Sequence, residues 1–591
     1  MTNPSDTPDI ALQGLLDGMA WHAQRWASEL TDHAQLAADT MRAVVQAHLE
    51  GHTCVPLASL AKTLQVSSTA GLRDALLQSG VVQRGALAQA RLQKASVAQP
   101  LVLDDWDHVY LHRNFDHERR LALQVAQRVR TPSIQPSLDV HVSKIDPADA
   151  GSLAVKRSSE QLGAVQRSLT RSLSIITGGP GTGKTTTVVQ MLYAWLRQCP
   201  QLRIALAAPT GKAAARMMEA VRQQAQGWPA ELTQGLPTSG HTLHRLLGAG
   251  PRGFAHDAQR PLALDVLVVD EASMLDLALA RCLFDALPAS AHLVLVGDQD
   301  QLASVEAGAV FADLCASGPH VERLTQNFRF GEASGIAEWA HHIRVGDQAA
   351  VFAALPRFEI APPDVWSQAP QGFASYVQAV HDHPHDAARA LAALEQFRVL
   401  CAVREGPRGV HALNERLTAM LAPAMRSPAL PPGSSQPLQG SAWYVGRPVL
   451  VTRNEPRLGL YNGDVGVTLP DEQGQLQVWF AGGPLSARDN ALDEGLRAFH
   501  PAQLPTHETA WAMTVHRAQG SEFERVLVIL PEQESRVVTR EWIYTAVTRA
   551  RTQLQVVASE SVLRAGLGTS LQRHSGLPMQ LARAKGAMAE K

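Results

Sequence analysis

Several features are scarce in this sequence of 591 residues, and each scarcity excludes a class of protein. Net charge is nearly absent, because 53 Lys and Arg residues stand against 55 Asp and Glu residues, so the whole chain has no field that attracts a polyanion. The five cysteines are scattered without a CxxC pair, which argues against a zinc site, an iron–sulfur cluster or a disulfide framework. No run approaches the roughly 20 apolar residues of a membrane span, and the first residues lack the features of a signal peptide. We therefore expect a protein of the reducing cytoplasm without a membrane partner.

The pattern of apolar residues divides this long chain into several domains. Helical spacing dominates residues 1–130, and a stretch rich in Pro, Ser and Asp over 131–152 is a predicted linker. Short apolar runs (LSIITG, RIALAAPT, LDVLVVDEAS, HLVLVGD) then alternate with helical segments, which is typical of parallel sheets covered by helices. Two such α/β domains are predicted over 153–335 and 336–575, with a tail at 576–591. Alternating strands and turn pairs predict a small β-barrel insertion over about 440–505.

The segment GGPGTGKT carries the strongest chemical signal, because it fits G-x-x-x-x-G-K-[ST] between a predicted strand and a predicted helix. Glycines allow such a loop to wrap backbone N–H groups around phosphates at a helix N-terminus. Lys184 can then reach the β- and γ-phosphates of ATP, and the Thr185 hydroxyl can hold Mg²⁺. The predicted nucleotide-binding residues of this loop are Gly178, Gly179, Pro180, Gly181, Thr182, Gly183, Lys184, Thr185 and Thr186.

Asp270 and Glu271 follow the apolar run VLVV, at the predicted carboxyl end of a strand. Ligands of an open α/β sheet bind at that edge. We expect Asp270 to position Mg²⁺ and Glu271 to orient and activate the attacking water. An acidic pair at a strand end is common, and it is the preceding phosphate loop that favours the catalytic interpretation.

The motifs GGPGTGKT, DEAS and GDQDQL, in this order, resemble the first three major motifs of superfamily-1 helicases, which move along single-stranded DNA by hydrolysing ATP. Later segments match further motifs of these motors, namely APTGKAAARM, LTQNFRF, TVHRAQGSEF and YTAVTRAR. The resemblance implies that Arg329 and Arg549 reach the γ-phosphate across a cleft between two motor domains, where developing charge needs cations. It also implies that Gln301 senses the γ-phosphate. Gln161 matches the glutamine that reads adenine, with an ordinary helix-surface glutamine as the alternative.

The same resemblance implies contacts to the sugar–phosphate backbone of DNA. Hydroxyls and imidazoles suit that role because they hydrogen-bond phosphate without reading base sequence. The two histidines could equally be structural. The predicted DNA-binding residues are Pro209, Thr210, His244, Thr514 and His516.

Several stretches resemble the RecD group, the α subunits of exodeoxyribonuclease V, more narrowly: TLHRLLG, NFRFGEASGIAEWAHHIRVGD, FRVLCAVREGPRGVHALNERL and GRPVLVTRNEPRLGLYNGDVGV. The resemblance implies an α/β fold with two RecA-like parallel-sheet motor domains, an inserted SH3-like β-barrel and a helical N-terminal domain. It implies 5′-to-3′ movement and action at duplex DNA ends in double-strand break repair and recombination. The location would be the cytoplasm, in association with the nucleoid.

The same resemblance implies a heterotrimer in which the N-terminal domain docks on RecC, alongside RecB. The first 125 residues carry no catalytic motif and lack the glycine-centred hairpins of free-standing RecD-like helicases, which favours the complex-bound subunit. Only 40 residues follow the last motif, so nuclease activity is expected in a partner. A stand-alone 5′-to-3′ helicase and an ATP-gated DNA-binding regulatory subunit that never unwinds remain the alternatives.

Overall fold

The computed structural model describes residues 10–28, 33–85, 99–130, 158–317, 320–326, 328, 335–354, 365–426, 443–455, 457–481 and 495–589. The predicted linker, 131–152, lies outside these described residues, and so does Arg329. Within these ranges no helix combines the length and the apolar content that crossing a bilayer requires.

The N-terminal region combines helices with a small sheet. Its helices are α1 (Ile10–Ser28), α2 (Ala34–Leu49), α3 (Leu57–Thr63), α4 (Thr69–Gln78) and α5 (His112–Arg130). Its strands are β1 (Cys54–Pro56), β2 (Val82–Arg84), β3 (Leu101–Leu103) and β4 (His108–Leu111), paired in the order β1-β4-β3-β2. The helical prediction is therefore confirmed, and the short strand or two that the sequence suggests before α5 belong to a four-stranded sheet. Strands of three or four residues are too short to show alternation in the sequence.

The first α/β domain is built on a six-stranded parallel sheet in the order β12-β5-β11-β10-β6-β7. Its strands are β5 (Leu173–Gly178), β6 (Ile204–Ala208), β7 (Gly240–Thr242), β10 (Val266–Val269), β11 (His292–Gly297) and β12 (Val321–Leu324), and a hairpin of β8 (Ala249–Gly250) and β9 (Gly253–Phe254) lies apart. Its helices are α6 (Ser159–Ser168), α7 (Lys184–Gln198), α8 (Gly211–Gln224), α9 (Ala230–Gln234), α10 (Leu243–Leu246), α11 (Leu277–Ala286) and α12 (Val310–Ala316). Alternate residues of the four central strands enter the two apolar clusters on opposite faces of the sheet. All pairings in this sheet are parallel, so the predicted parallel sheet is confirmed.

The second α/β domain has a four-stranded parallel sheet in the order β19-β13-β20-β21. Its strands are β13 (Phe397–Cys401), β19 (Ala512–Thr514), β20 (Phe523–Ile529) and β21 (Ala550–Val557). Its helices are α13 (Ile336–Val345), α14 (Gln348–Ala354), α15 (Val365–Gly372), α16 (Ala374–Asp382), α17 (Ala387–Glu395), α18 (Val410–Leu421), α19 (Arg540–Val547) and α20 (Glu560–Gly568).

A five-stranded antiparallel sheet interrupts the second α/β domain. Its strands are β14 (Pro448–Val451), β15 (Val465–Pro470), β16 (Leu476–Ala481), β17 (Leu496–Phe499) and β18 (His507–Thr509), in the order β17-β16-β15-β14-β18. The last strand lies just beyond the predicted limit of 505. Pairing between the edge strands β17 and β18 is not found among the described residues, so closure into an SH3-like barrel stays a prediction.

Two helices that lie far apart in the sequence, α5 and the last helix, pack on the first α/β domain. The C-terminal helix α21 (Leu577–Ala589) and helix α5 bury Leu577, Leu581, Leu121 and Val125 in the apolar cluster under that domain's sheet. Arg128, on α5, donates hydrogen bonds to the carbonyls of Leu287 (2.6 Å) and Ala291 (3.0 Å). The predicted domain limits place α5 in the N-terminal domain and α21 in the tail, whereas both helices contribute to the core of the domain that carries the phosphate loop.

Candidate functional site

The phosphate loop lies where the sequence places it, between the end of β5 at Gly178 and the start of α7 at Lys184. Gly181 and Gly183 have φ angles of +77° and +79°, which L side chains rarely adopt. A Cβ at Gly178 would lie 2.6 Å from Thr182 Oγ1 and 2.7 Å from the Leu324 carbonyl oxygen. The loop is therefore tightly wound, and glycine is required at these positions by backbone angle or by space.

Lys184 is folded back onto its own loop. Its Nζ donates to the carbonyl oxygens of Gly178 (2.7 Å) and Gly179 (2.9 Å), and Thr182 Oγ1 also donates to Gly179 (2.9 Å). Phosphate oxygens of a bound nucleotide can replace these two carbonyls as acceptors of the Lys184 ammonium, because the ammonium already lies beside the loop. The neighbouring Thr185 and Thr186, in the first turn of α7, are partly exposed.

Asp270 and Glu271 lie at the carboxyl end of the buried strand β10, near Lys184. Burial and the adjacent Glu271 charge raise the pKa of Asp270 to about 6, while Lys184 and Arg216 oppose the shift. Asp270 Oδ1 accepts the Glu271 N–H (2.9 Å), and Glu271 adopts a φ of +51°, uncommon for a non-glycine residue. Two adjacent carboxylates at this edge are stabilised by a cation, so their chemistry fits a hard divalent ion.

Residues after β11 connect the two α/β domains. Asp298 is buried and accepts hydrogen bonds from Gln301 Nε2 (3.2 Å) and, from the second domain, Tyr544 Oη (2.9 Å). Burial and the Asp298 charge raise the pKa of Tyr544 well above its ordinary value, so the phenol remains a neutral donor. Gln301 is buried, and in the described part of the chain nothing donates to its Oε1. A Cβ built on Gly179 would lie 3.1 Å from Tyr544 Oη, so this contact borders the phosphate loop.

Arg549 is buried within the second α/β domain. Its Nε donates to the Thr545 carbonyl (3.2 Å) and its Nη1 to the Ser521 carbonyl (3.1 Å). The adjacent Gly520 lies against the first domain, since a Cβ there would be 3.5 Å from Thr210 Oγ1 and 4.0 Å from Glu271 Cγ. Arg549 therefore lies behind a segment that reaches the acidic pair, and its guanidinium is held by its own domain. The other predicted arginine, Arg329, lies outside the described residues.

Gln161 has a structural partner at each end of its amide. Ser158 and Gln161 form a capping box at the start of α6, with Ser158 N donating to Gln161 Oε1 (3.2 Å). Gln161 Nε2 donates to the Thr182 carbonyl (3.3 Å), so the side chain touches the phosphate loop. It is buried, and the surface-glutamine alternative is therefore wrong. Whether it reads adenine stays a prediction.

The predicted DNA-binding residues fall at the edges of both sheets. Pro209 follows β6, and Thr210 caps α8 by accepting the Ala213 N–H at 3.3 Å. Thr514 ends β19, and burial together with the charge of Arg573 lowers the pKa of the nearby His516. One further residue, His244, is exposed on the short helix α10, 5.9 Å from the Phe254 ring. Thr210 approaches the second domain at Gly520, whereas the described part of the chain shows no hydrogen bond or ion pair between His244 and these groups.

Three cross-domain groups were missed at the sequence level. Arg216, on α8, donates to the Gly520 carbonyl (2.8 Å) and pairs with Glu522 (3.0 Å) of the second domain. Lys212 pairs with Glu395 at 3.6 Å, and burial lowers the pKa of Lys212. The ring of Tyr461, in the β insertion, packs on Gly211, since a Cβ built on Gly211 would lie 3.2 Å from that ring. Arg216 and Lys212 both stand inside the segment APTGKAAARM, so the motif was visible although its ionic partners were not.

The chain is similar to known proteins over most of its length. Residues 156–359 match the family model of an AAA domain, and residues 509–557 match that of a UvrD-like helicase C-terminal domain. The RecBCD enzyme subunit RecD of Mycobacterium tuberculosis (strain H37Rv) is 37% identical over 593 residues, covering 96% of this chain and 95% of that protein. RecD of Mycolicibacterium smegmatis is 40% identical over 441 residues, covering 71% and 74%.

More distant proteins share parts of the chain. The ATP-dependent RecD2 DNA helicase of Deinococcus radiodurans is 33% identical over 404 residues, covering 68% of this chain but 49% of that protein. A crystal structure of Bacteroides Pif1 bound to single-stranded DNA has a TM-score of 0.41 at 17% identity, covering 74% of this chain and 98% of that one. This last similarity is too weak to support a functional argument.

Proposed function

The chain belongs to the RecD family and is an ATP-dependent DNA helicase, and from this premise we propose that it moves 5′-to-3′ along single-stranded DNA as the α subunit of a RecBCD-type complex. The observation that carries the proposal is a contact across the cleft between the two α/β domains. Tyr544 of the second domain donates a hydrogen bond to Asp298, beside the phosphate loop of the first domain. Hydrolysis at such a cleft can open and close the two domains against each other, which is the movement a motor requires.

ATP binds, in this proposal, where Lys184 now bonds the loop carbonyls, so the ammonium exchanges these bonds for the β- and γ-phosphates. Thr185 and Asp270 would hold Mg²⁺, which supplies charge neutralisation on the phosphates. Glu271 orients and deprotonates the attacking water. Gln301 senses the γ-phosphate, and its Oε1, which accepts no hydrogen bond from the described residues, is an acceptor available for that water.

Arginine residues supply the remaining positive charge at the transition state. Arg549 and Arg329 are proposed to stabilise the transferred phosphoryl group from the second domain. For Arg549 this requires a change of partners, because its guanidinium is held by the Thr545 and Ser521 carbonyls. Closing of the cleft around nucleotide is the step that would release it.

DNA is proposed to cross both domains near Pro209, Thr210, His244, Thr514 and His516, with contacts to its backbone rather than to base edges. The 5′-to-3′ polarity and the SH3-like character of the β insertion come from the family. We keep the predicted domain limits as part of this proposal, although α5 and α21 pack on the first α/β domain.

RecB and RecC are the proposed partners, in a cytoplasmic complex that acts on duplex ends during double-strand break repair. The support is that the similarity to Mycobacterium tuberculosis RecD runs through the N-terminal region, whereas the match to RecD2 leaves half of that helicase unmatched. Co-purification of the native protein with RecB and RecC tests this assembly. Recovery of the chain alone would instead favour a stand-alone helicase.

Steady-state ATPase assays on the full chain test the site. Lys184→Gln should abolish hydrolysis with the fold intact, and Glu271→Gln should bind ATP without cleaving it. Turnover near wild type in either variant would contradict the assignment. Directional displacement of a block on tailed oligonucleotides separates a motor from an ATP-gated clamp, because a clamp hydrolyses ATP without moving.

A further inference from the structure

The segment from Asp298 to Gly308, here called the sensor segment, begins with Asp298 and Gln301 and continues away from the phosphate loop. The early part of the segment, at Leu302, is held by the second α/β domain. Leu302 N donates to Thr545 Oγ1 (2.9 Å), and Gln519 Nε2 donates to the Leu302 carbonyl (2.9 Å). The position of Gln301, one residue earlier, therefore depends on how this backbone is fixed.

The later residues of the sensor segment, from Ser304 to Gly308, are held by Arg573, which lies between α20 and α21. Its Nη1 donates to the carbonyls of Glu306 (2.8 Å) and Gly308 (2.8 Å), and its Nη2 to that of Ser304 (2.6 Å). Burial lowers the pKa of Arg573. A planar guanidinium bonded to three carbonyls of one short loop fixes the path of that loop, because its donors have a rigid geometry.

The N-terminal region forms the other side of this contact. Gly51 lies against the guanidinium with a φ of +92°, and a Cβ there would be 2.8 Å from Arg573 Cζ. The Gly51 carbonyl accepts the Gly308 N–H (3.0 Å), and Thr53 N donates to the His574 carbonyl (2.9 Å). Arg573 is thus enclosed between the N-terminal region and the sensor segment.

We propose that Arg573 is a positioning residue for ATP hydrolysis, because it fixes the later residues of the sensor segment. We also propose that the N-terminal region contributes to this positioning through Gly51, which packs against the guanidinium. The inference rests on the proposed role of Gln301, since Arg573 acts only through the segment that carries it. It also gives the N-terminal region a role in hydrolysis in addition to the partner binding that the sequence predicts.

Kinetics of the full chain test the proposal. Arg573→Ala should lower the DNA-stimulated kcat at least fivefold while changing the KM for ATP less than about twofold, because the nucleotide contacts remain but the sensor is displaced. Arg573→Lys should recover part of kcat, because the ammonium can reach one or two of the three carbonyls. The matched control is Arg583→Ala, which removes an exposed pair with Asp105 between α21 and the N-terminal region.

Gly51→Ala provides an independent arm, because it changes no charge and lies outside both α/β domains. Its methyl group would press on the guanidinium, so kcat should fall as in Arg573→Ala. In the double variant the second substitution should cost less turnover than it does alone, since the group that the methyl meets is gone and only the strain of alanine at a φ of +92° remains.

The outcomes separate the inference from the proposed function. A wild-type chain without DNA-stimulated hydrolysis would overturn the proposed function itself. With an active wild type, turnover within twofold of normal in Arg573→Ala and Gly51→Ala would overturn the inference. An equal loss in Arg583→Ala would also overturn it, since any loosening of α21 would then suffice. If Arg573→Ala does not fold, the Lys and Gly51→Ala variants decide.

Discussion

Glu118→Gln should remove a pH-dependent loss of stability from the contact between α5 and α21. The Glu118 carboxylate is fully buried and accepts hydrogen bonds from Thr53 Oγ1 (2.5 Å), Ser575 Oγ (3.1 Å) and Gln580 Nε2 (3.1 Å). Burial, together with the charge of Asp313, raises the pKa of Glu118 from 4.5 to about 7, against the opposing effect of the hydroxyl donors.

The sign follows from the higher pKa of the folded state. Between about pH 4.5 and 7 the folded chain keeps a proton that the unfolded chain has lost, so this stabilisation is complete below pH 4.5 and disappears as the pH rises through 7. At about 1.4 kcal/mol per pKa unit, the loss amounts to about 3 kcal/mol. A glutamine does not ionise and should keep this free energy at pH 8. Its amide can be accommodated, because Gln580 Oε1 is buried without a donor among the described residues and can turn to accept it.

Hydrogen exchange of amides in α5 and α21 provides the measurement, at pH values from 5 to 8.5 and with intrinsic exchange rates removed. As the pH rises from 5 to 8.5, the free energy of opening of these amides in wild type should fall by about 3 kcal/mol relative to that in Glu118→Gln. Asp105→Asn is the matched control, because Asp105 is an exposed carboxylate at the same contact. Parallel pH profiles of wild type and Glu118→Gln would refute the reasoning, as would an Asp105→Asn profile that resembles that of Glu118→Gln.

Three further predictions concern the motor. Arg549→Ala should reduce kcat much more than ATP affinity, and a variant with weakened binding but normal kcat, in single-turnover and titration experiments, would assign ordinary substrate binding to this residue. Tyr544→Phe should lower DNA-stimulated kcat roughly tenfold, because it removes a donor worth about 1.5–3 kcal/mol from buried Asp298, and unchanged kcat would show that the hydrogen bond does not couple the domains. DNA affinity should fall steeply and linearly on a log–log plot against salt and vary little with base sequence, so salt-independent binding in fluorescence titrations would exclude backbone contacts.

The N-terminal region is less separable from the motor than its sequence suggests. Helix α5 has no catalytic motif and follows helical spacing, so it resembles part of an independent interaction domain. In the structure Leu121 and Val125 lie in the core of the first α/β domain, and Arg128 satisfies carbonyls beneath its sheet. A deletion that ends at 125 would therefore cut into the ATP-binding domain, and partner-binding variants are better placed on helices α1 to α4.

The sequence by itself determined the motifs and the alternation of strands and helices that produces two parallel sheets. The phosphate loop and the acidic pair could be predicted because each follows its own strand directly, so local spacing places Lys184 and Asp270 at the same sheet edge. Family motifs likewise selected Gln301 and Arg549. Such signals depend on neighbouring residues, which a sequence displays directly.

Only the tertiary structure decided which distant groups meet. Tyr544 and Asp298 are separated by 246 residues, and Gln580 and Glu118 by 462, so no periodicity could pair them. Arg573 could not be recognised from the sequence either, because its partners are backbone carbonyls, which every residue carries. Short strands and buried ionic contacts escape sequence reasoning because their stability comes from the surrounding packing, which exists only after the chain has folded.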